Sequence, residues 1–199
     1  MEKTEILSTN CQLLLDFIIK NFKVFNPWNN SKNILPRTPG NYVVLLKKET
    51  PFPTEKIDNV PVIRSIEFEG KEYQLIYTGI ASELQKRIGN NHFGHNAGRS
   101  TLRLSLGSLM GFTKIYRDNS KKMKKFRYSD ELKLTEWMQK NLIVLFYVNS
   151  NCNNDEENMI SALNPPLNIE KNHCKENDNF RSELKYLRSI ETQFEPIVE

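Results

Sequence analysis

The stretch Leu75 to Ile88, LIYTGIASELQKRI, decides how the rest of the chain is read. Leu75, Ile76 and Tyr77 are apolar and aromatic, as the half-buried end of a strand should be. Gly79 then permits a sharp backbone turn that a Cβ would obstruct. Ser82 offers an N-cap, and Glu83 falls in the first turn, where a carboxylate suits the helix dipole. Leu84 and Ile88, four apart, share the inward stripe, and Arg87 lies beside it. A phenol at a strand end, a glycine turn and a helix-borne guanidinium make a candidate phosphate site.

Working outward, Gly40 to Lys47 (GNYVVLLK) reads as a strand with Tyr42 near its start. Val62 to Phe68 alternates, and Glu69-Gly70-Lys71 is a turn, so this segment and Tyr73 to Tyr77 form a hairpin. Residues 6–25 carry helical spacing. Trp28, in the loop that follows, is expected to anchor on the core. Ser100 or Thr101 caps a helix through Met110, with Arg99 and Arg103 near its anion-favouring N-terminus. A further helix runs from Ser129 to Lys140. Leu142 to Val148, LIVLFYV, is the most hydrophobic strand and the expected centre of the sheet. Glu156 to Leu163 is a short helix stopped by Asn164-Pro165-Pro166, and 179–190 a final helix. The fold class that follows is α+β, a small, mainly antiparallel sheet flanked by helices with helical extensions at both ends. The 199 residues suit one domain, its core at about 36–170.

Composition excludes several classes. No apolar run reaches the length of a bilayer span, and no basic region followed by an apolar run opens the chain. Cys11, Cys152 and Cys174 are odd in number and lack CxxC spacing, which argues against a disulfide framework or a zinc site. A cytoplasmic, non-membrane protein is the expectation. The net charge of +4 is unevenly spread. Lys114 to Arg127, KIYRDNSKKMKKFR, holds seven Lys/Arg and one acid, interleaved with aromatics. Lys114, Arg117, Lys121, Lys122, Lys124, Lys125 and Arg127 are therefore expected to face the phosphates of a nucleic acid, together with Arg99 and Arg103.

These pieces occur in a fixed order: Gly40-Asn41-Tyr42, Tyr77-Thr78-Gly79, Arg87, then Glu156-x-x-Met159-Ile160 and Pro165-x-x-Asn168. The order resembles the GIY-YIG nuclease superfamily over roughly Gly40 to Asn168. The segments LTEWMQKNLIVLFYV and LNPPLN look like those of its restriction-enzyme-type members. Asn41 replaces the usual isoleucine, and Ile80 stands where many members carry a lysine, so another cation should replace it, with Arg99 or Arg103 as candidates.

The resemblance implies a Mg²⁺-dependent endonuclease acting on double-stranded DNA, with Mn²⁺ able to substitute. A type II restriction enzyme, dimeric on its DNA, fits best because no extra DNA-binding domain is evident. The alternatives are a repair or mobile-element nuclease for damaged or branched DNA, and a DNA-binding module of the same fold that does not cut. In the first reading Glu156 holds the metal and Arg87 the scissile phosphate. Tyr42 takes a proton from the attacking water if its neighbours lower its pKa. Tyr77 orients that water or the phosphate, His92 assists proton transfer or holds Tyr42, and Asn168 fixes the geometry. His95 is expected to be an ordinary loop residue.

Overall fold

The structure, a computed structural model, describes residues 2–116 and 124–190. The expected phosphate-facing residues Arg117, Lys121 and Lys122 lie outside the described residues. The architecture is α+β. Five strands form one antiparallel sheet in the order β1-β7-β2-β4-β3. They are β1 (Lys23–Phe25), β2 (Gly40–Lys47), β3 (Ser65–Phe68), β4 (Lys71–Ala81) and β7 (Leu142–Val148). The middle strand of the five is β2; β7, the expected centre, is interior as well, paired to β1 on one side and β2 on the other. In the turn of the β3–β4 hairpin, Glu69 and Gly70 both adopt positive φ, 51° and 71°, which matches the twist of the flanking strands.

The N-terminal helix α1 (Glu2–Asn21) ends earlier than its spacing predicts. Val24 and Phe25 belong to β1, opposite Leu145 and Val144. Their apolar side chains serve a sheet edge, which a helical count cannot distinguish from one more turn. Trp28 does not anchor on the core: it is exposed.

The sheet is covered on both faces. Val43, Leu45, Ile143 and Leu145 pack against Ile18 of α1, against Phe22 just beyond its end, and against Met159 and Leu163 of α4 (Cys152–Leu163). Tyr42, Val44, Leu46, Val144 and Phe146 face the opposite layer. That layer contains α2 (Thr101–Leu109), α3 (Tyr128–Asn141) and α5 (Asp178–Ser189), through Leu102, Leu106, Leu134, Met138, Phe180 and Leu184. α2 starts where its cap predicts: Ser100 Oγ accepts from Arg103 N–H at 3.1 Å. α4 ends on Asn164 in the left-handed conformation, directly before Pro165.

One irregularity positions the site. Strict alternation along β4 would put Tyr73, Leu75 and Tyr77 on one face. The ladder shifts between Val44 and Leu45, leaving Ile76 as an extra residue. Tyr73 and Leu75 therefore face α1, while Tyr77 crosses to the face that carries Tyr42.

The described parts of the basic stretch up to Phe126 are strands. β5 (Lys114–Tyr116) and β6 (Lys124–Phe126) pair as a separate two-stranded ribbon.

Candidate active site

Tyr42 sits at the centre of the sheet, opposite Gly79 on β4. Gly79 is not at a turn: β4 continues to Ala81. The glycine is required because the tyrosine ring lies against it. A Cβ there would stand 2.6 Å from the Tyr42 hydroxyl oxygen and 2.8 Å from Cζ. The ring is fully buried, and its hydroxyl meets two groups: His92 Nε2 at 2.7 Å, and Arg87 Nε, which donates to it at 3.2 Å.

Both partners come from one unusual element. Residues Gln85–His92 form a π-helix with no side-chain cap, instead of an α-helix capped by Ser82. The N–H groups at its start bond the loop before β2, Leu84 N to Thr38 O and Gln85 N to Pro36 O, both at 3.0 Å. The wider π turn stacks residues five apart, so Arg87 and His92 share a face. Arg87 is fixed further by Nη1 donating to Arg99 O at 3.3 Å. His92 Nδ1 lies 2.7 Å from Ser100 Oγ, the cap of α2.

Electrostatics define the resting state. Burial, together with Tyr77, pushes the Tyr42 phenol far above its ordinary range, although Arg87 pulls the other way. The expectation that neighbours lower this pKa is not met, because a fully buried phenolate loses more hydration than one guanidinium restores. Burial, then Arg87 and Arg103, hold His92 well below the usual imidazole range. The pair is a neutral phenol against a neutral imidazole. In the tautomer that carries its proton on Nδ1, toward Ser100 Oγ, His92 presents Nε2 as acceptor for the Tyr42 hydroxyl.

Tyr77 lies beside Tyr42, with ring centroids 6.3 Å apart, and its hydroxyl is 3.3 Å from Thr101 Oγ1. It opens onto a recess of about 180 Å³ shared with Thr101, Glu156, Asn168, Lys171 and Arg188. α4 lies mainly in the α1 layer, yet Glu156 and Ile160 reach this recess. Glu156 Oε2 is 2.8 Å from Lys171 Nζ. A second recess, about 420 Å³, is lined by Arg87, Arg99, Ser100, Thr101, Lys124 and Arg188. Thr101 and Arg188 border both, so the two recesses are neighbours.

Asn168 is buried, and its carboxamide is spent on the backbone of β4 rather than on a phenol. Its carboxamide accepts from Thr78 N–H and donates to Thr78 C=O, both at 2.9 Å. Leu167 N donates to Ile76 O at 3.1 Å. Beyond the end of β3 the rim of β4 would be unpaired, and this segment stands in for the missing strand. His95 is elsewhere, bonded to Thr135 in a separate depression with Phe25 and Gln139.

The expected phosphate-facing residues divide. Arg99 is exposed at the cleft, and Lys125 and Arg127 are partly exposed. Arg103 does not face outward, and it cannot replace the cation missing at Ile80. It is wholly buried, bonded to Glu131 Oε2, to Glu131 O at 3.0 Å, and to His92 O at 3.1 Å. Glu131 Oε1 in turn accepts from Ala97 N and Phe126 N. A guanidinium three residues after a cap points inward here because Glu131 waits there. Lys114 is also buried, at the foot of the ribbon, and Lys124 Nζ is occupied by Ser189 O and Ile190 O.

A family model described as the GIY-YIG catalytic domain matches residues 40–190. The chain belongs to the GIY-YIG family. It is therefore a nuclease, a hydrolase whose substrate is DNA. No curated protein and no solved structure gave a match. The matched span begins at the first residue of β2 and takes in α5, so it contains both recesses.

The GIY-YIG residues of the sequence are thus distributed as follows. Tyr42, Arg87 and His92 meet at one oxygen, Tyr77 joins them to Glu156 through the recess, and Asn168 braces the strand. The sequence reading missed Ser100, Thr101, Lys171 and Arg188. Ser100 was visible as a cap, but its second bond to His92 had no local signal.

Proposed function

We propose that this chain is a Mg²⁺-dependent endonuclease that cuts double-stranded DNA, of the type II restriction kind. The observation that carries the reading is the convergence of Arg87 and His92 on the Tyr42 hydroxyl, beside a recess holding Tyr77 and Glu156. Arg87 binds a non-bridging oxygen of the scissile phosphate with the guanidinium face turned to the cleft. Tyr42 takes a proton from the attacking water while passing its own to Nε2 of His92. The route carries the proton to His92 rather than leaving a free phenolate; burial, Arg87 and Arg103 disfavour the imidazolium, so the proton does not rest there. Tyr77 orients the water, and Asn168 keeps β4 in place.

The recess suits a hard divalent ion. No group of three His, Cys, Asp or Glu gathers among the described residues. Mg²⁺, which keeps most of its waters, needs only one or two carboxylates plus substrate oxygens, and Glu156 supplies one. Bound there, the ion supplies positive charge to the phosphoryl oxygens and the leaving oxygen. Mn²⁺ fits the same donors. One site cuts one strand, so a double-strand break calls for two copies on the DNA.

The test is incubation of the protein with plasmid and phage DNA plus Mg²⁺. Discrete bands support sequence-specific cleavage, and a smear or cutting restricted to branched DNA argues for the other nuclease readings. Glu156→Ala and Arg87→Ala should abolish cutting and retain DNA binding. Wild-type cleavage by Glu156→Ala removes the metal role.

A further inference from the structure

Arg188 lies outside every motif of the sequence, on the last turn of α5. Phe180 and Leu184 form the buried stripe of that helix, and one turn further along the same stripe stands Arg188. A guanidinium thus occupies the end of an apolar row. It is half-buried, in the wall between the Arg87 recess and the Glu156 recess, and borders both. Among the described residues it makes no hydrogen bond and no ion pair. Glu170 and Tyr77 favour its charge, against its burial, and the two recesses it borders also hold the cations Arg87, Arg99, Lys124 and Lys171 and the carboxylate of Glu156.

Its position is held by others. α5 packs on α2, and Lys124 Nζ bonds Ser189 O at 3.0 Å and Ile190 O at 3.2 Å. A cation at these carbonyls ties the end of α5 to the basic ribbon. A fork of donors is therefore fixed in a partly dehydrated cleft with its hydrogen-bonding capacity unspent. Leaving such a group unsatisfied is costly, and an anion with several acceptor oxygens satisfies it.

We propose that Arg188 is a phosphate-binding residue: its guanidinium grips a phosphate of the DNA strand where that strand crosses from the Arg87 recess to the Glu156 recess. The inference rests on the nuclease reading above. Arg188 also supplies the cation that the sequence lacks at Ile80, from a helix far downstream.

The test compares wild type, R188M, R188K and K185A. Methionine keeps an apolar stem at the end of the stripe and removes the charge. Lys185 is exposed on the same helix and controls for loss of one positive charge. Two readouts are taken: plasmid cleavage with Mg²⁺, and binding of a labelled 40-base-pair duplex with Ca²⁺ in place of Mg²⁺ over a range of salt. R188M should cleave about 10²- to 10³-fold more slowly at an unchanged melting temperature. Its slope of log affinity against log salt should fall by about 1. R188K should restore the slope and only part of the rate, because an ammonium lacks the fork. K185A should match wild type in both. R188M with wild-type rate and slope overturns the proposal, as does a loss of slope in K185A equal to that in R188M. If wild type cuts no DNA, the nuclease reading fails, while the binding slopes still decide whether Arg188 holds phosphate.

Discussion

Arg87 and His92 stand five residues apart, and both touch the hydroxyl of Tyr42. On an α-helix that spacing would turn the two side chains about 140° away from each other. The wider turn of the π-helix Gln85–His92 narrows that offset, and both side chains reach one oxygen. The guanidinium and the imidazole are therefore set by one backbone irregularity, and each can be tested through the other's contact.

Replacing His92 with glutamine removes the acceptor of the Tyr42 proton. The expected outcome is a fall in kcat of about 10²- to 10⁴-fold with KM for DNA nearly unchanged. Steady-state cleavage of an oligonucleotide containing the cut site measures both. An equal loss in KM would assign His92 to DNA binding.

His92 also predicts how stability depends on acidity. Its folded pKa lies below the unfolded value, because burial and then Arg87 and Arg103 disfavour imidazolium. The unfolded chain binds the proton more readily. The stability from this group is complete above about pH 6.5 and is lost as pH falls below it, by at most about 1.4 kcal/mol per pH unit. Urea unfolding between pH 5 and 8 should show that slope in wild type and a shallower one in His92→Gln.

Gly79→Ala forces a methyl into the Tyr42 ring. The ring sits in a packed core and cannot retreat without strain, so a cost of about 1–3 kcal/mol is expected. Displacing the hydroxyl from Arg87 and His92 should lower the cleavage rate by about 10²-fold. Thermal melting and cleavage assays on the same preparation separate the two effects.

Arg103→Met strands Glu131 without its charge partner in a fully buried site. A loss of about 3–5 kcal/mol is expected in urea unfolding. Because Glu131 also holds Ala97 N and Phe126 N, the variant should loosen the ribbon as well, visible as faster amide exchange at Phe126.

Lys171 holds Glu156 Oε2, an oxygen of the carboxylate proposed to bind the metal. Lys171→Ala should lower the Mg²⁺ concentration that gives half-maximal cleavage. A metal titration checks this, and a higher requirement would show that the ammonium assists metal binding.

The strands β2 and β7 were legible because their branched and aromatic residues leave no other reading, and α2 because its cap serine and leucine spacing agree. Four features were not legible, for different reasons. Val24 and Phe25 satisfy a helical count and a strand edge equally. The π-helix has no sequence rule that separates it from an α-helix carrying Leu84 and Ile88 on one stripe. Arg103 looked like a phosphate ligand because its inward turn depends on Glu131, 28 residues away. Tyr77 was read as the end of a strand that in fact runs on to Ala81, and its shared face with Tyr42 depends on the extra residue Ile76, a property of the pairing with β2 rather than of β4 itself. Local pattern reveals elements; long-range partners decide where their side chains point.

The two-sided pairing of β2 sets an order of release when the molecule breathes. Freeing Tyr42 means rupturing ladders to both β4 and β7, an opening that approaches global unfolding. Glu156 is carried by a helix of the opposite layer, and its own carboxylate is held by the lysine of a loop. Warming should therefore dismantle the carboxylate's side of the cleft before the phenol's, and cutting should cease at a temperature where the sheet still stands.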